Sequence, residues 1–223
     1  MTTRWVLALL LGVSSGCAAP EGGGHGAHGP HDQATVHHRF EDAEKWAARF
    51  EDPARDAWQE PDRVIAAMEL TPSSRVADIG AATGYFPVRI ARVVPEGVVY
   101  GVDIEPTLVN FLNLRAHREG LTQLIGLVCS AEDPRIPEPV DVVLVCDTYH
   151  HIGGRVDYFR RLKASLRPGG RLVIVDFKKG DFPVGPDDDH KLSREQVTEE
   201  LRLGGYEPSE QVELRYQYVL VFR

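Results

Sequence analysis

Hydrophobic positions divide the chain into an N-terminal helical part and a longer part in which strand and helix patterns alternate. Apolar residues recur at helical spacing over residues 40–70, and the prolines of the stretch 52–61 interrupt that pattern twice. Beyond residue 70, short valine-rich runs alternate with amphipathic stretches. This alternation is typical of the α/β class, in which helices cover both faces of a parallel sheet.

The alternating part predicts a succession of strands and helices within one domain. Strands are expected at 76–79, 98–103, 124–129, 140–146, 171–177, 207–215 and 217–222, with the last two forming a hairpin. Helices are expected at 86–94, 106–119, 152–166 and 193–203, and glycine-containing sequences end the last two. No internal repeat is visible.

The first two predicted strands end in acidic residues on either side of a glycine turn. Asp78 precedes Gly80 and Gly84, which can adopt positive φ and let a ligand approach the backbone, and Asp103 ends the next strand. In open α/β sheets this arrangement holds a nucleoside. The turn lies beneath its charged part, and the second carboxylate binds the ribose hydroxyls.

The spacing of the turn distinguishes two classes of nucleoside ligand. Dinucleotide sites favour Gly-x-Gly-x-x-Gly around a pyrophosphate, whereas Ala82 stands at the middle position here. The carboxylate of Asp78 would repel a pyrophosphate and attract a cationic amino-acid group. The pattern therefore favours S-adenosylmethionine (SAM), which carries an ammonium and a sulfonium, over a nicotinamide dinucleotide and its oxidoreductase chemistry.

Residues 76–86 resemble motif I of the class I SAM-dependent methyltransferases, and Asp103-Ile104 is similar to their ribose-binding motif. The resemblance covers residues 40–223. It implies a Rossmann-like sheet of seven mostly parallel strands in the order 3-2-1-4-5-7-6, with the last strand antiparallel and helices on both faces. It also implies an N-terminal helical lid over residues 40–70, in which Trp58 and Gln59 either line the pocket or anchor the lid to the sheet.

The same resemblance implies which residues would hold SAM. Asp78 would face the methionyl ammonium, and the glycine turn would supply backbone contacts. Asp103 would accept hydrogen bonds from the ribose hydroxyls, and Ile104 would pack on one face of the adenine. After the third strand the family usually has an acid on the adenine amino group. Ser130 stands at that position, which leaves this contact to Ser130 or Glu132. The implied set is Asp78, Gly80, Ala82, Gly84, Asp103, Ile104, Ser130, Ala131, Glu132 and Asp147.

The fourth predicted strand ends in Asp147-Thr148-Tyr149-His150-His151, which resembles a stretch of the ubiquinone and menaquinone biosynthesis methyltransferases. Its tip is expected beside the first strand, where open α/β sheets bind ligands. Because histidine can take a proton from a phenol, enol or amine near neutral pH, His150 is expected to be the general base, with His151 as second candidate. Tyr149 is expected to shape the acceptor pocket. Helix capping or packing is the alternative role for these residues.

The sequence therefore favours methyl transfer from SAM to a small-molecule acceptor, of a lipophilic or quinol-like kind by resemblance. The main alternative is a non-catalytic SAM- or nucleoside-binding lipoprotein of the cell envelope. The net charge of −8 over 223 residues argues against nucleic acid as a partner, because phosphate binding needs clustered lysine and arginine. Cys129 and Cys146 are expected in the core without a disulfide, because the implied strand order separates them by three positions.

The first 17 residues resemble a bacterial lipoprotein signal peptide. Arg4 is followed by the apolar run 5–13, which is too short to span a bilayer, and cleavage before Cys17 would leave a lipidated cysteine. We expect a signal at 1–17, a flexible tether at 18–39 and a domain at 40–223 that is lipid-anchored on the periplasmic side of the bacterial envelope. An ordinary secretory signal, an uncleaved anchor or an unprocessed cytoplasmic form is the alternative.

Two segments contain residue types that bind metals. The histidine-rich tether lacks cysteine or carboxylate ligands at fixed spacing, which favours a solvated linker. The loop 178–190 contains a run of aspartates followed by His190, and a solvated loop is the favoured interpretation there too. No metal site is predicted.

Overall fold

The computed structural model describes residues 42–223, which form a seven-stranded sheet in the order β3-β2-β1-β4-β5-β7-β6. The strands are β1 (Arg75–Ile79), β2 (Val98–Asp103), β3 (Leu124–Val128), β4 (Val140–Cys146), β5 (Leu166–Phe177), β6 (Pro208–Glu213) and β7 (Gln217–Phe222). Among these strands, β7 alone runs opposite in direction to the other six. The predicted strand order and the antiparallel final strand are confirmed.

Helices lie on both faces of the sheet. They are α1 (Ala43–Phe50), α2 (Asp56–Gln59), α3 (Pro61–Ala67), α4 (Tyr85–Val93), α5 (Pro106–Arg118), α6 (Arg155–Leu162) and α7 (Arg194–Leu203). The proline-containing break of the N-terminal pattern forms a 3-10 turn, Pro53–Arg55, followed by α2. Proline is tolerated at a helix start but not in its interior, so Pro53 and Pro61 each begin a new helical piece.

The core consists of two apolar clusters, one on each face of the sheet. Alternate residues of each strand point to opposite faces, so Val76 belongs to one cluster and Ala77 to the other. Side chains of α3, α4 and α5 complete the first cluster, and those of α6 and α7 complete the second. Cys129 and Cys146 are free thiols, and Cys146 is buried in the first cluster.

One strand and one helix differ most in length from the prediction. The helix expected at 152–166 ends at Leu162, and β5 begins at Leu166 rather than at 171. The sequence Pro168-Gly169-Gly170 predicts a break. In the structure it forms an irregularity within the strand, because Leu166 pairs with Val140 and the register with β4 then shifts.

The predicted signal and tether, residues 1–39, lie outside the described residues. Within residues 42–223, none of the helices has the length and apolar character needed to cross a membrane.

Candidate active site

The glycine turn after β1 has a backbone that few residues other than glycine can adopt. Gly80 and Gly84 have φ values of 79° and 102°, and Ala82 between them also has a positive φ of 47°. The N–H groups of Gly80 and Ala81 both donate to the carbonyl of Val102, at 2.8 and 3.1 Å. These bonds tie the turn to β2. A Cβ added at Gly80 would lie only 2.1 Å from the hydroxyl oxygen of Thr148.

Asp103, at the tip of β2, holds this turn in place. One carboxylate oxygen accepts the N–H of Ala82 at 2.9 Å, and the other accepts the N–H of Glu105 at 3.0 Å. Burial raises the pKa of Asp103, although these two N–H groups oppose the rise. A carboxylate oxygen can accept more than one hydrogen bond, so both oxygens retain capacity for a pair of hydroxyls.

Asp78 is a buried carboxyl group without a partner. Its relative exposure is 3%, and within residues 42–223 no hydrogen bond or ion pair reaches its side chain. Burial raises the pKa of Asp78 to about 8, and the negative charge of Asp103 adds to the rise. An unpaired buried acid of this kind is costly to ionise, and a ligand ammonium would supply the missing charge. The site therefore fits the amino-acid end of SAM.

The residues expected on the adenine side lie next to Asp103. Ile104 is 51% exposed and presents an apolar surface directly after Asp103, the carboxylate expected to bind the ribose. The N–H of Cys129 donates to the carbonyl of Asp103 at 3.0 Å, which brings the segment Ser130–Glu132 to the same strand tip. Ser130 exchanges hydrogen bonds with Asp133 and closes a turn, while Ala131 and Glu132 are exposed.

Asp147, at the tip of β4, lies between the cofactor residues and the histidines. Its backbone has a positive φ of 52°. One carboxylate oxygen accepts from Arg55 at 3.3 Å, and the other accepts from Gln217. Burial raises the pKa of Asp147 to about 6, while the charge of Arg55 opposes the rise.

His150 forms a buried pair with Asp176. Its Nδ1 lies 2.9 and 3.0 Å from the two carboxylate oxygens, and the relative exposures of the residues are 3% and 0%. Asp176 also accepts the N–H of Phe177 at 2.8 Å, which fixes its carboxylate. Burial alone lowers the pKa of His150, but the charge of Asp176 and its hydrogen bond outweigh that effect, so the pKa is raised.

The other two residues expected to take part in catalysis lie in different surroundings. Tyr149 is fully buried, donates its hydroxyl to Glu200 at 2.9 Å and stacks on Phe159. Its ring lies in the second apolar cluster, and the role expected of Tyr149 in the acceptor pocket stays a prediction. His151 is partly buried, and its ring centroid lies 4.3 Å from that of His150.

Two residues that the sequence did not single out belong to the site. Asp176 is the last but one residue of β5, as Asp78 is of β1, so an acid near a parallel strand tip is a signal that could have found it. Arg55 sits in the proline-containing break, where nothing in the sequence distinguishes it from a solvated arginine. Its guanidinium carbon lies 3.9 Å from the ring centre of Tyr85. The neighbouring candidate Trp58 packs on Phe177 with ring centroids 5.6 Å apart.

The loop 178–190 holds a small acidic group away from these residues. Ligand atoms of Asp187, Asp189 and His190 lie within 4.8 Å of one another, and both aspartates are exposed. Exposed acidic groups commonly form such clusters without a metal.

The geometry agrees with the comparisons to known proteins. A family model described as a methyltransferase domain matches residues 70–214, more than half of the chain, and the chain belongs to this family. A solved SAM-dependent methyltransferase from Aquifex aeolicus is similar, with a TM-score of 0.76 and 25% identity. The match covers 82% of this chain and 98% of that one. The chain thus carries a SAM-dependent methyltransferase domain, with SAM as its cofactor.

The names of curated relatives indicate different acceptors. The 27-O-demethylrifamycin SV methyltransferase of Amycolatopsis mediterranei is 30% identical over 137 residues, which cover 60% of this chain and 50% of that protein. The ubiquinone/menaquinone biosynthesis C-methyltransferase of Ectopseudomonas mendocina is 29% identical over 119 residues, which cover 52% and 46%. The chain spans about half the length of the curated relatives it matches.

Proposed function

We propose that this protein transfers the methyl group of SAM to a small-molecule acceptor whose reacting atom must lose a proton. The observation that carries the proposal is the buried pair of His150 and Asp176 at the tips of β4 and β5. The charge of Asp147 acts on both His150 and Asp78, which supports a proton acceptor and a cation site in one cleft.

Bound SAM would supply a methyl group on a sulfonium: the acceptor atom would bond to the methyl carbon in line as the carbon–sulfur bond breaks, and the sulfur would leave as a neutral thioether. The protein has to orient the two reactants and remove the proton. Asp78 would hold the ammonium, and Asp103 the ribose. The tautomer of His150 that donates Nδ1–H to Asp176 makes Nε2 the basic nitrogen. As the acceptor gains the methyl group, its proton passes to Nε2, and Asp176 stabilises the imidazolium that forms.

The acceptor class follows from this base and from the relatives. A histidine with a raised pKa is suited to phenols, enols and similar groups whose own pKa lies a few units higher. The names of the two relatives above include a rifamycin and the quinones ubiquinone and menaquinone. We therefore propose a lipophilic phenolic, enolic or quinol-like acceptor.

The test separates binding from chemistry. Calorimetry of the full chain should show SAM binding, and labelled SAM should then transfer its methyl group to a member of a panel of quinols and polyketide phenols. His150→Gln and Asp176→Asn should each lower kcat by about 10²–10⁴-fold without changing the Kd for SAM. His117→Gln, an exposed histidine of α5, is the matched control and should keep full turnover. Unchanged turnover in His150→Gln would refute the proposed base.

A second proposal concerns location, and the N-terminal sequence supports it. The lipoprotein-like segment before Cys17 would anchor the protein in the envelope. Because SAM is made in the cytoplasm, export would separate the protein from its cofactor. A non-catalytic SAM- or nucleoside-binding role is therefore the second candidate function. Fractionation of tagged wild type and Cys17→Ser would test the anchor. A soluble, unlipidated wild-type product would rule it out.

A further inference from the structure

We propose that Arg55, Gln59, Gln217 and Asp147 form a latch that holds residues 42–60 as a closed lid over the cofactor cleft and opens for each exchange of cofactor. This inference rests on the proposed function, because it concerns access to the same cleft. In this latch Gln217 is a positioning residue, because it holds the lid and does not contact the cofactor itself.

The four side chains form a closed ring of hydrogen bonds. Arg55 donates from Nε and Nη2 to Oε1 of Gln59, at 3.1 and 2.9 Å. Gln59 donates from Nε2 to Oε1 of Gln217 at 2.6 Å, and Gln217 donates from its own Nε2 to Asp147. Arg55 closes the ring by donating to the other oxygen of Asp147 at 3.3 Å. One route runs from the guanidinium of Arg55 to the carboxylate of Asp147 directly, and the other runs through the two glutamines. Because Arg55 can only donate and the Asp147 carboxylate can only accept, the donors and acceptors of both amides are assigned without conflict.

The ring joins the lid to two strands of the sheet. Arg55 and Gln59 belong to the lid, whereas Asp147 follows β4 and Gln217 begins β7. Both glutamines are fully buried, and the side chains of Arg55 and Asp147 are mostly buried. Hydrogen bonds to charged groups are stronger in such surroundings than at the surface, so the ring can decide whether the lid is closed.

The lid also contacts the glycine turn and the helix that follows it. Glu51 accepts from the hydroxyl of Thr83 at 2.9 Å, and Asp56 accepts from the hydroxyl of Tyr85. Asp78 and Asp103 have relative exposures of only 3% and 8%. A ligand as large as SAM can reach these carboxylates only when the residues that cover them move away.

The decisive variant is Gln217→Glu in the full-length protein. It has the same shape and keeps the acceptor for Gln59, but it replaces the donor to Asp147 by a second negative charge. We expect hydrogen exchange in peptides from residues 42–60 to accelerate about 10- to 100-fold without any ligand, which is the effect of losing one hydrogen bond to a charged group. The dissociation rate of SAM should rise by a similar factor, with exchange in β1 and β4 unchanged.

Two further variants keep the test decisive. Gln211→Glu makes the same charge change at an exposed position of β6 and should leave lid exchange at the wild-type rate. Arg55→Lys keeps the charge but loses the planar fork by which Nε and Nη2 together reach Gln59 and Asp147. It provides the test if Gln217→Glu does not fold. Wild-type lid exchange in Arg55→Lys, or equal acceleration across the whole sheet in Gln217→Glu, would overturn the latch. The exchange measurement needs no cofactor, so a wild type that fails to bind SAM would instead count against the proposed function.

Discussion

Replacing Asp78 by asparagine should stabilise the protein while weakening its hold on SAM. The wild-type carboxyl group is buried without a partner, and its pKa of about 8 compares with 3.8 for an ordinary aspartate. The folded protein must therefore take up a proton at pH 7 that the unfolded chain does not bind. At 1.36 kcal/mol per pH unit, this uptake lowers the free energy of unfolding by about 4 kcal/mol at pH 7.

Asparagine removes that cost because its amide does not titrate. The amide and the protonated carboxyl are both neutral polar groups, so their burial costs roughly cancel. Structural relaxation reduces such effects, and we expect a gain of about 2–4 kcal/mol at pH 7. For a chain of this size this corresponds to a rise in Tm of about 5–15 °C.

The pH dependence gives the sign of the effect. A raised carboxyl pKa makes the folded state bind more protons, so wild-type stability falls as the pH rises from about 4 toward 8. The advantage of Asp78→Asn should therefore vanish near pH 4 and be largest near pH 8. Chemical denaturation across this range measures it, with the exposed Asp62→Asn as matched control.

Calorimetry of the same proteins completes the test. If Asp78 holds the SAM ammonium as proposed, loss of its carboxylate should weaken binding by about 30- to 1,000-fold. An Asp78→Asn variant that is no more stable than wild type at pH 7, or that binds SAM equally well, would refute the assignment of Asp78 as the cation site.

Three more predictions concern the same cleft. The affinity for SAM should rise about tenfold per pH unit between pH 6 and 8 and then level off, because binding displaces the proton of Asp78. Calorimetry in buffers of different ionisation enthalpy would detect the released proton. Asp103→Asn should lower the free energy of unfolding by about 1–3 kcal/mol, because an amide has one acceptor oxygen for two backbone N–H groups; a stabilised variant in urea denaturation would contradict this. Gly80→Ala should abolish SAM binding and lower the free energy of unfolding by more than about 3 kcal/mol, because the added Cβ would clash with Thr148. Gly154→Ala, where φ is also positive but the space is open, should lower it by only about 1 kcal/mol in the same urea denaturation.

The topology could be predicted because local sequence determines it, and local sequence also places the residues expected to hold the cofactor. Valine-rich runs and glycine breaks define the strands. An acid at a strand tip is placed by the strand itself, so Asp78 and Asp103 are brought to neighbouring positions by the parallel pairing of β1 and β2. The exposed side chain of Ile104 follows from the same geometry.

The acceptor half could not be predicted in the same way, because it depends on contacts between distant segments. Tyr149 and His150 are adjacent in sequence, yet one pairs with Glu200 in the core and the other with Asp176. Which neighbour points toward the cleft depends on the 3-10 turn Tyr149–His151 and on the packing of α6 and α7. The partnership of Gln59 with Gln217 spans 158 positions, and no local pattern indicates it.

The inserted position of β7 connects the edge of the sheet to residues 42–60. The strand that follows β6 in the chain enters the sheet between β5 and β6, and its first residue is Gln217. The buried amide of Gln59 therefore has its partner on a strand that is paired on both sides. Under the proposed latch, a disturbance of β6 should reach the lid through β7.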